Sequence, residues 1–99
     1  MTVNILGTEY ELLHCLTSEM TDPDYIGECN RYTKTIKINM EYFGATDVET
    51  SAMYKTIRHE IIHAFFHEAG LDCYSEDETL VDALAVLVPK MLKAFAEAV

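Results

Sequence analysis

The chain has 99 residues, 49% of them hydrophobic and 24% charged, a size and balance that fit one domain with a single core over residues 1–99. Its formal net charge of −10 would repel nucleic-acid phosphates, and its seven Lys and Arg residues form no dense basic cluster, so we expect no nucleic-acid partner. No apolar run approaches the roughly 20 residues that span a bilayer, so no membrane association is predicted either.

The cysteines and the N-terminal sequence bear on the cellular compartment. Cys15, Cys29 and Cys73 are odd in number and widely spaced, which favours free thiols over a disulfide framework. Glu9 and Glu11 interrupt the early hydrophobic stretch, so no signal peptide is predicted. We therefore expect a cytoplasmic protein.

The first forty residues contain β-prone runs. Residues 3–6 and 10–13 are separated by a glycine-containing break and predict a first hairpin. After a polar loop over residues 17–24, residues 25–29 and 33–39 predict a second hairpin with the alternating pattern of a half-buried strand. We expect the two hairpins to form one small antiparallel sheet.

The spacing of apolar residues then changes to a helical period. Thr46 and Glu49 fit a capping box, and apolar positions at helical spacing follow them. A long helix is therefore predicted over residues 47–69.

Separate signals mark the end of this helix and the start of the next. Gly70 suits the left-handed position just past the helix, where Leu71 could fold back on Phe66. A second helix is predicted from about Asp77, and Pro89 must kink or restart it. The aromatic residues expected in the core are Phe65, Phe66 and Phe95. The predicted fold class is α+β, a small sheet followed by two helices.

The predicted long helix contains His59-Glu60-Ile61-Ile62-His63, an HExxH motif. Residues four apart lie on one face of a helix, so the two imidazoles can meet one metal ion. Zinc in catalytic sites takes three protein ligands and keeps a position for water, and Glu60 is placed to accept a proton from that water. The alternative is a helix that carries surface His and Glu residues by coincidence.

A third ligand must come from another element. Glu78 and Asp82, four residues apart at the start of the second helix, would point to the same side. Glu78 would bind the metal, and Asp82 would accept the outward ring N–H of His59 or His63. Alternatively, Ser75 and Glu78 form a capping box. We favour the ligand role because two helices joined by a short connection pack antiparallel, which brings Glu78 near the histidines.

His67 competes with Glu78 for the third position. It lies eight residues from His59, about 12 Å along a straight helix, which is too far for both to reach one ion. Its place in the last turn, at the negative end of the helix dipole, gives it a structural reason of its own. Asp72 and Glu76 are less favoured because of their spacing.

A family resemblance follows from these residues. HEIIH is followed, 15 residues after its second His, by the ExxxD of Glu78 and Asp82, and this layout resembles the gluzincin clan of zinc peptidases. Residues 56–89, about a third of the chain, are most similar to small phage or prophage proteins related to the ImmA/IrrE group of metallo-endopeptidases. The resemblance implies a minimal zincin-like domain with the two motif histidines and Glu78 as zinc ligands, Glu60 as base and Asp82 supporting a ligand.

The motif and the resemblance together predict a zinc-dependent metallopeptidase that hydrolyses a peptide bond in a protein substrate, with a regulatory protein as the target suggested by analogy. The substrate would pair as an added strand with the sheet edge at residues 33–39. Two alternatives stay open. One is a non-catalytic, zinc-stabilised binding or inhibitor module of phage origin, against which Glu60 argues because a structural zinc site needs no base. The other is a metal-free α+β interaction protein.

Overall fold

The computed structural model describes residues 1–43 and 47–99, with side chains described outside residues 44–49. The predicted capping box of Thr46 and Glu49 therefore lies outside the described residues. The strands and helices found in the described part are β1 (Thr2–Ile5), β2 (Thr8–Cys15), β3 (Gly27–Asn30), β4 (Thr35–Asn39), α1 (Asp47–Glu68), α2 (Asp72–Ser75) and α3 (Glu78–Glu97). Short 3-10 helices follow β2 and β4. The α+β class is as predicted.

Both predicted hairpins are present. β1 pairs with β2 and β3 pairs with β4, each in antiparallel orientation. Leu6 and Gly7 form the first turn with positive φ angles of 52° and 91°, as the tight turns that match the twist of a hairpin require. The side chain of Asn4 accepts a hydrogen bond of 2.9 Å from the Gly7 amide, which stabilises this turn.

The prediction of an antiparallel sheet is wrong, because the two hairpins are joined through a parallel pair. The strand order is β1-β2-β4-β3, and β2 and β4 run parallel. The chain leaves β2, crosses over to form β3 at the outer edge, and returns as β4 between β2 and β3. Parallel neighbours need such a crossover, which no local turn signal can reveal. The sheet is therefore mixed, and β4 is one of its inner strands.

One face of the sheet is covered by α1, which packs against β1, β3 and β4. The alternating apolar residues of β2 and β4 point to this helix, whose Ala64 is fully buried. The buried core consists of Ile5, Tyr10, Leu12, Ile36, Ile38 and Ala64. Full burial of one such aliphatic side chain is worth about 1.5–3 kcal/mol, so this small core fixes the position of α1 on the sheet.

The end of α1 has the predicted cap. Gly70 has a φ of +74°, the Leu71 amide donates to the Phe66 carbonyl at 2.8 Å, and the Gly70 amide donates to the His67 carbonyl at 3.1 Å. These two bonds define a Schellman motif. The short helix α2, which was not predicted, follows at once and turns the chain toward α3.

The start of α3 excludes the alternative in which Ser75 caps this helix. Asp77 is the N-cap, and its side chain accepts a hydrogen bond of 3.0 Å from the Leu80 amide. Ser75 ends α2 and is buried. The alternative in which Ser75 and Glu78 cap the helix is therefore wrong, and the Glu78 side chain points elsewhere.

Helix α3 continues through Pro89, so of the two predicted effects, a kink or a restart, the restart does not occur. Proline lacks the N–H that would bond to the carbonyl four residues earlier, which belongs to Ala85. That carbonyl accepts a hydrogen bond of 2.7 Å from Nε of Arg58 on α1. The helix therefore passes the proline without leaving a buried carbonyl unpaired, and the same bond ties α3 to α1.

The C-terminal half of α3 is largely exposed. Val81 and Ala85 are fully buried, whereas Phe95 is 59% exposed. Within the described residues, the elements that pack extensively against this helix are α1 and α2. Phe65 is also exposed, at 41%, so the predicted core positions of Phe65 and Phe95 are wrong. Of the helices in residues 1–43 and 47–99, none combines the length and apolar character needed to cross a membrane.

Candidate metal centre

The two motif histidines face each other across one turn of α1. Their Nε2 atoms are 3.1 Å apart, and their ring centroids are 4.8 Å apart. Burial lowers the pKa of His63, which favours the neutral imidazole that binds metal ions. The helical spacing of HExxH thus gives the geometry expected from the sequence.

Glu78, the first residue of α3, reaches both histidines. One carboxylate oxygen lies 3.0 Å from Nε2 of His59 and the other lies 3.0 Å from Nε2 of His63. Donor atoms around a tetrahedral zinc ion at about 2.0–2.2 Å are separated from one another by about 3.3 Å, close to these distances. The structure thus brings the three proposed ligands to one point, through the packing of α3 on α1.

Glu60 lies beside this cluster and is buried. The side-chain donor atoms of His59, Glu60 and His63 all lie within 4.8 Å of one another, so Glu60 is a further metal-ligand candidate. Burial, followed by the charges of Glu78 and Glu28, raises the pKa of Glu60 to about 8. Its Oε2 atom has no hydrogen-bond partner among the described residues. A buried carboxylate oxygen without a partner is costly, and a water or cation in the cleft would satisfy it.

Asp82 lies on the outer side of His59. Its Oδ1 is 3.4 Å from Nδ1 of His59 and 3.4 Å from Nζ of Lys55. The distance to His59 is longer than a typical N–H···O bond, so the contact is a close charge–dipole approach at the nitrogen opposite Nε2. Asp82 thus lies next to the outward ring nitrogen of His59, as predicted. It also contacts Lys55, which the sequence did not indicate.

The outer nitrogen of His63 has a partner that the sequence analysis missed. Nδ1 of His63 lies 2.9 Å from Oγ of Ser75, which also lies 3.1 Å from Nε2 of His67. Nδ1 of His67 in turn lies 3.0 Å from Asp72. His67 is therefore directed to Ser75 and not to the ligand cluster. The repetition of His at 59, 63 and 67 on one helical face was the available signal for this contact.

The three candidate ligands His59, His63 and Glu78, called the metal-ligand cluster below, open into a cleft of about 410 Å³ between α1 and β3. Its lining includes Gly27, His59, Glu60, His63 and Glu78. The predicted substrate edge at residues 33–39 is wrong, because β4 is paired on both sides. In the described residues β3 is the outer strand on this side of the sheet, and it borders the cleft.

Comparisons with protein-family models, with curated proteins and with solved structures found no significant match. The chemistry of the site therefore rests on its own geometry.

Proposed function

We propose that the chain is a zinc-dependent metallopeptidase of the gluzincin type that hydrolyses a peptide bond in a protein or peptide substrate. The observation that carries the proposal is the convergence of His59, His63 and Glu78, whose donor atoms lie 3.0–3.1 Å apart, beside the buried carboxylate of Glu60. The resemblance of residues 56–89 to the ImmA/IrrE group supports it by analogy.

The donor set suits zinc. Two imidazole nitrogens from α1 and one carboxylate from α3 make the three-ligand arrangement of catalytic zinc sites. The side chain of Glu78 is 65% exposed, so the cluster is accessible to solvent at this ligand. A zinc ion held there would polarise a substrate carbonyl and lower the pKa of a water molecule.

Glu60 supplies the proton chemistry. Its unpaired Oε2 is the atom that would accept a proton from a water molecule in the cleft and return it to the leaving amine. A catalytic carboxyl group works best when its pKa lies near the working pH, and burial has moved the pKa of Glu60 to about 8. A positive charge beside it would lower this pKa, so that the carboxylate form is available at neutral pH.

The substrate would bind along β3. This strand borders the cleft, and its unpaired backbone groups could pair with an extended peptide segment, which then passes the histidines. Gly27 carries no side chain where the strand approaches Glu60, so β3 lies close to the proposed base. As part of the proposal we place this activity in the cytoplasm, because Cys15, Cys29 and Cys73 are free thiols.

One observation favours a second candidate, a non-catalytic zinc-stabilised binding or inhibitor module. Glu60 lies close enough to His59 and His63 to act as a fourth protein ligand. Four protein ligands close a zinc site and leave no position for water, as in structural zinc sites. In that case the protein would hold zinc and recognise a partner without cleaving it.

The test combines metal analysis with a search for cleavage. The protein, purified without chelators, is expected to hold one zinc ion and to cut a peptide library at defined positions, detected as new N-termini by mass spectrometry. His63→Ala should lose both properties, and His14→Ala, at an exposed histidine on β2, should keep both. Zinc retained at this site by His63→Ala would refute the ligand assignment. Zinc without any cleavage by the unmodified protein would favour the binding module.

A further inference from the structure

A continuous chain of polar contacts lies behind His63, on the side away from Glu78. Ser75 Oγ is 2.9 Å from His63 Nδ1 and 3.1 Å from His67 Nε2, and His67 Nδ1 is 3.0 Å from Asp72 Oδ1. Arg31, in the turn between β3 and β4, pairs with the other Asp72 oxygen at 3.0 Å. This series of hydrogen bonds and ion pairs thus connects the sheet to the metal-ligand cluster through side chains of α2.

When His67 is neutral, the chemistry of these groups gives every hydrogen bond a direction. Asp72, paired with Arg31, can only accept, so Nδ1 of His67 donates to it. Nε2 of neutral His67 then accepts from the Ser75 hydroxyl, which leaves the Ser75 oxygen free to accept from Nδ1–H of His63. His63 is thereby held with its proton on Nδ1. Its Nε2 lone pair points to His59 and Glu78, which is the form that a metal ligand needs.

We propose that Ser75 is a positioning residue that, together with His67 and Asp72, holds His63 in the tautomer and orientation that bind the metal ion. The inference rests on the metal site of the proposed function. It also gives a reason for the short helix α2, which carries both Asp72 and Ser75. The outer nitrogens of the two motif histidines then have different partners. The partner is the buried hydroxyl of Ser75 at His63 and the exposed carboxylate of Asp82 at His59.

The same contacts have the order of a Ser-His-Asp triad, but access rules out a nucleophilic role for Ser75. Ser75 is only 3% exposed, and its Oγ lies between two imidazole rings. A serine nucleophile must reach a substrate carbonyl and carry an acyl group, and neither fits at this position. Ser75 therefore acts through His63.

The first experiment measures zinc affinity by competition with a chromophoric chelator. Loss of a group that orients a ligating histidine typically weakens metal binding about 10- to 100-fold, and this loss is expected for Ser75→Ala. Ser75→Thr keeps the hydroxyl and should recover most of the affinity. Ser51→Ala, at an exposed serine on α1, is the matched control and should bind zinc like the unmodified protein. Thermal unfolding of the metal-free proteins verifies that each variant is folded.

Unchanged zinc affinity in folded Ser75→Ala would overturn the proposal. So would covalent labelling of Ser75 by a fluorophosphonate probe, because a reactive serine must be accessible. If the unmodified protein bound no zinc at all, the metal site of the proposed function would itself be refuted, and with it the role of Ser75 toward a metal ion.

The second experiment needs no metal, so it separates the hydrogen-bond chain from the metal site. Ring ¹⁵N shifts of His67 in the metal-free protein at about pH 8.5, well above the ordinary pKa of histidine, should show the proton on Nδ1 and none on Nε2. Asp72→Ala should reduce this preference. A proton on Nε2 of His67 in the unmodified protein would contradict the proposed direction of the hydrogen bonds from His63 to Asp72 and overturn the proposal.

Discussion

Gly27 on β3 lies directly against Glu60 on α1. A Cβ atom at Gly27 would come within 2.9 Å of Cγ2 of Thr56, which is closer than real Cβ atoms approach. It would also come within 3.1 Å of Cγ of Glu60, which is tighter than most real Cβ contacts. The absence of a side chain at this one position therefore lets the edge strand cover Glu60. The burial that raises the pKa of Glu60 depends on this contact.

Gly27→Ala is accordingly expected to force α1 and β3 apart. Overpacking of this kind typically costs about 1–3 kcal/mol, and the free energy of unfolding measured in urea should fall by that amount. The proposed peptidase activity should fall as well, because Glu60 becomes more exposed to water. Gly7→Ala is the comparison. A Cβ atom at this position would meet open space, but the backbone of Gly7 has a φ of +91°, which is strained for alanine. The Gly7→Ala variant should therefore be less stable and should keep its activity per folded molecule. Unaltered stability of Gly27→Ala would show that the contact is not tight.

Asp82→Ala is expected to weaken zinc binding, because Asp82 faces the outer nitrogen of His59. Such neighbours usually contribute about 10- to 100-fold in affinity. The 3.4 Å distance and the shared contact with Lys55 place the expectation at the lower end of that range. Chelator competition measures the effect, with Asp24→Ala, an exposed aspartate outside the site, as control. Equal zinc affinities in the two variants would remove the role of Asp82.

Arg58→Met should destabilise the protein through Ala85. The substitution leaves the buried Ala85 carbonyl without a donor, because Pro89 cannot supply one, and an unsatisfied buried acceptor costs about 1–3 kcal/mol. Pro89→Ala restores a backbone N–H for the same carbonyl. In that background Arg58→Met should cost clearly less, and a double-mutant cycle by urea unfolding gives the coupling. Additive effects would show that Arg58 does not compensate for the proline.

The parts of the site that could be predicted are those set by spacing along one chain segment. His59 and His63 are one helical turn apart, and Glu78 follows a connection too short for anything but antiparallel packing, so their convergence was predictable. Ser75 was not recognised, since the sequence does not show that residues 72–75 form a helix that turns its hydroxyl toward α1. Helical spacing can be recognised from neighbouring residues in the sequence. Which side chain of a connection becomes buried depends on how the helices pack, and this is not visible in the sequence.

The same distinction explains the errors in the fold. Turn residues predicted both hairpins, but the parallel pairing of β2 with β4 joins strands that are separated by the whole of β3, and no local pattern encodes it. Phe95 has helical spacing like a core residue, yet it is 59% exposed near the end of α3. Periodicity indicates which face of a helix is apolar without showing what covers it.

Glu68 should make the stability of the metal-free protein depend on pH. Its carboxylate accepts hydrogen bonds from Lys34 at 2.6 Å and from Tyr10 at 2.8 Å, and these bonds lower its pKa, the Lys34 bond being the larger cause. Because the folded-state pKa is below the unfolded value, the stabilisation is fully present above the unfolded pKa. It is lost as the pH falls through the folded pKa.

Glu68→Gln should therefore lower the free energy of unfolding at pH 7, and the difference from the unmodified protein should shrink at acidic pH. Urea unfolding at a series of pH values in the presence of a chelator measures it. Glu11→Gln, at an exposed position on β2, should show no such difference. A pH-independent deficit in Glu68→Gln would mean that the side chain acts by packing and not through its charge.

Glu60→Gln separates the two candidate functions. The amide keeps the shape of the side chain but cannot take a proton, and general acid–base catalysis is typically worth about 10²- to 10⁴-fold in rate. A peptidase that uses Glu60 as its base should therefore retain one zinc ion in this variant and cleave its substrate slower by at least that order, as measured in parallel by metal analysis and single-turnover cleavage.

Glu9→Gln, at an exposed position on β2, should match the unmodified protein in both measurements. An unchanged cleavage rate in zinc-loaded Glu60→Gln would refute the proposed mechanism. Loss of zinc in that variant would instead identify Glu60 as a ligand. The buried carboxylate would then close the metal site, and the non-catalytic binding module would be the better explanation of the same four side chains.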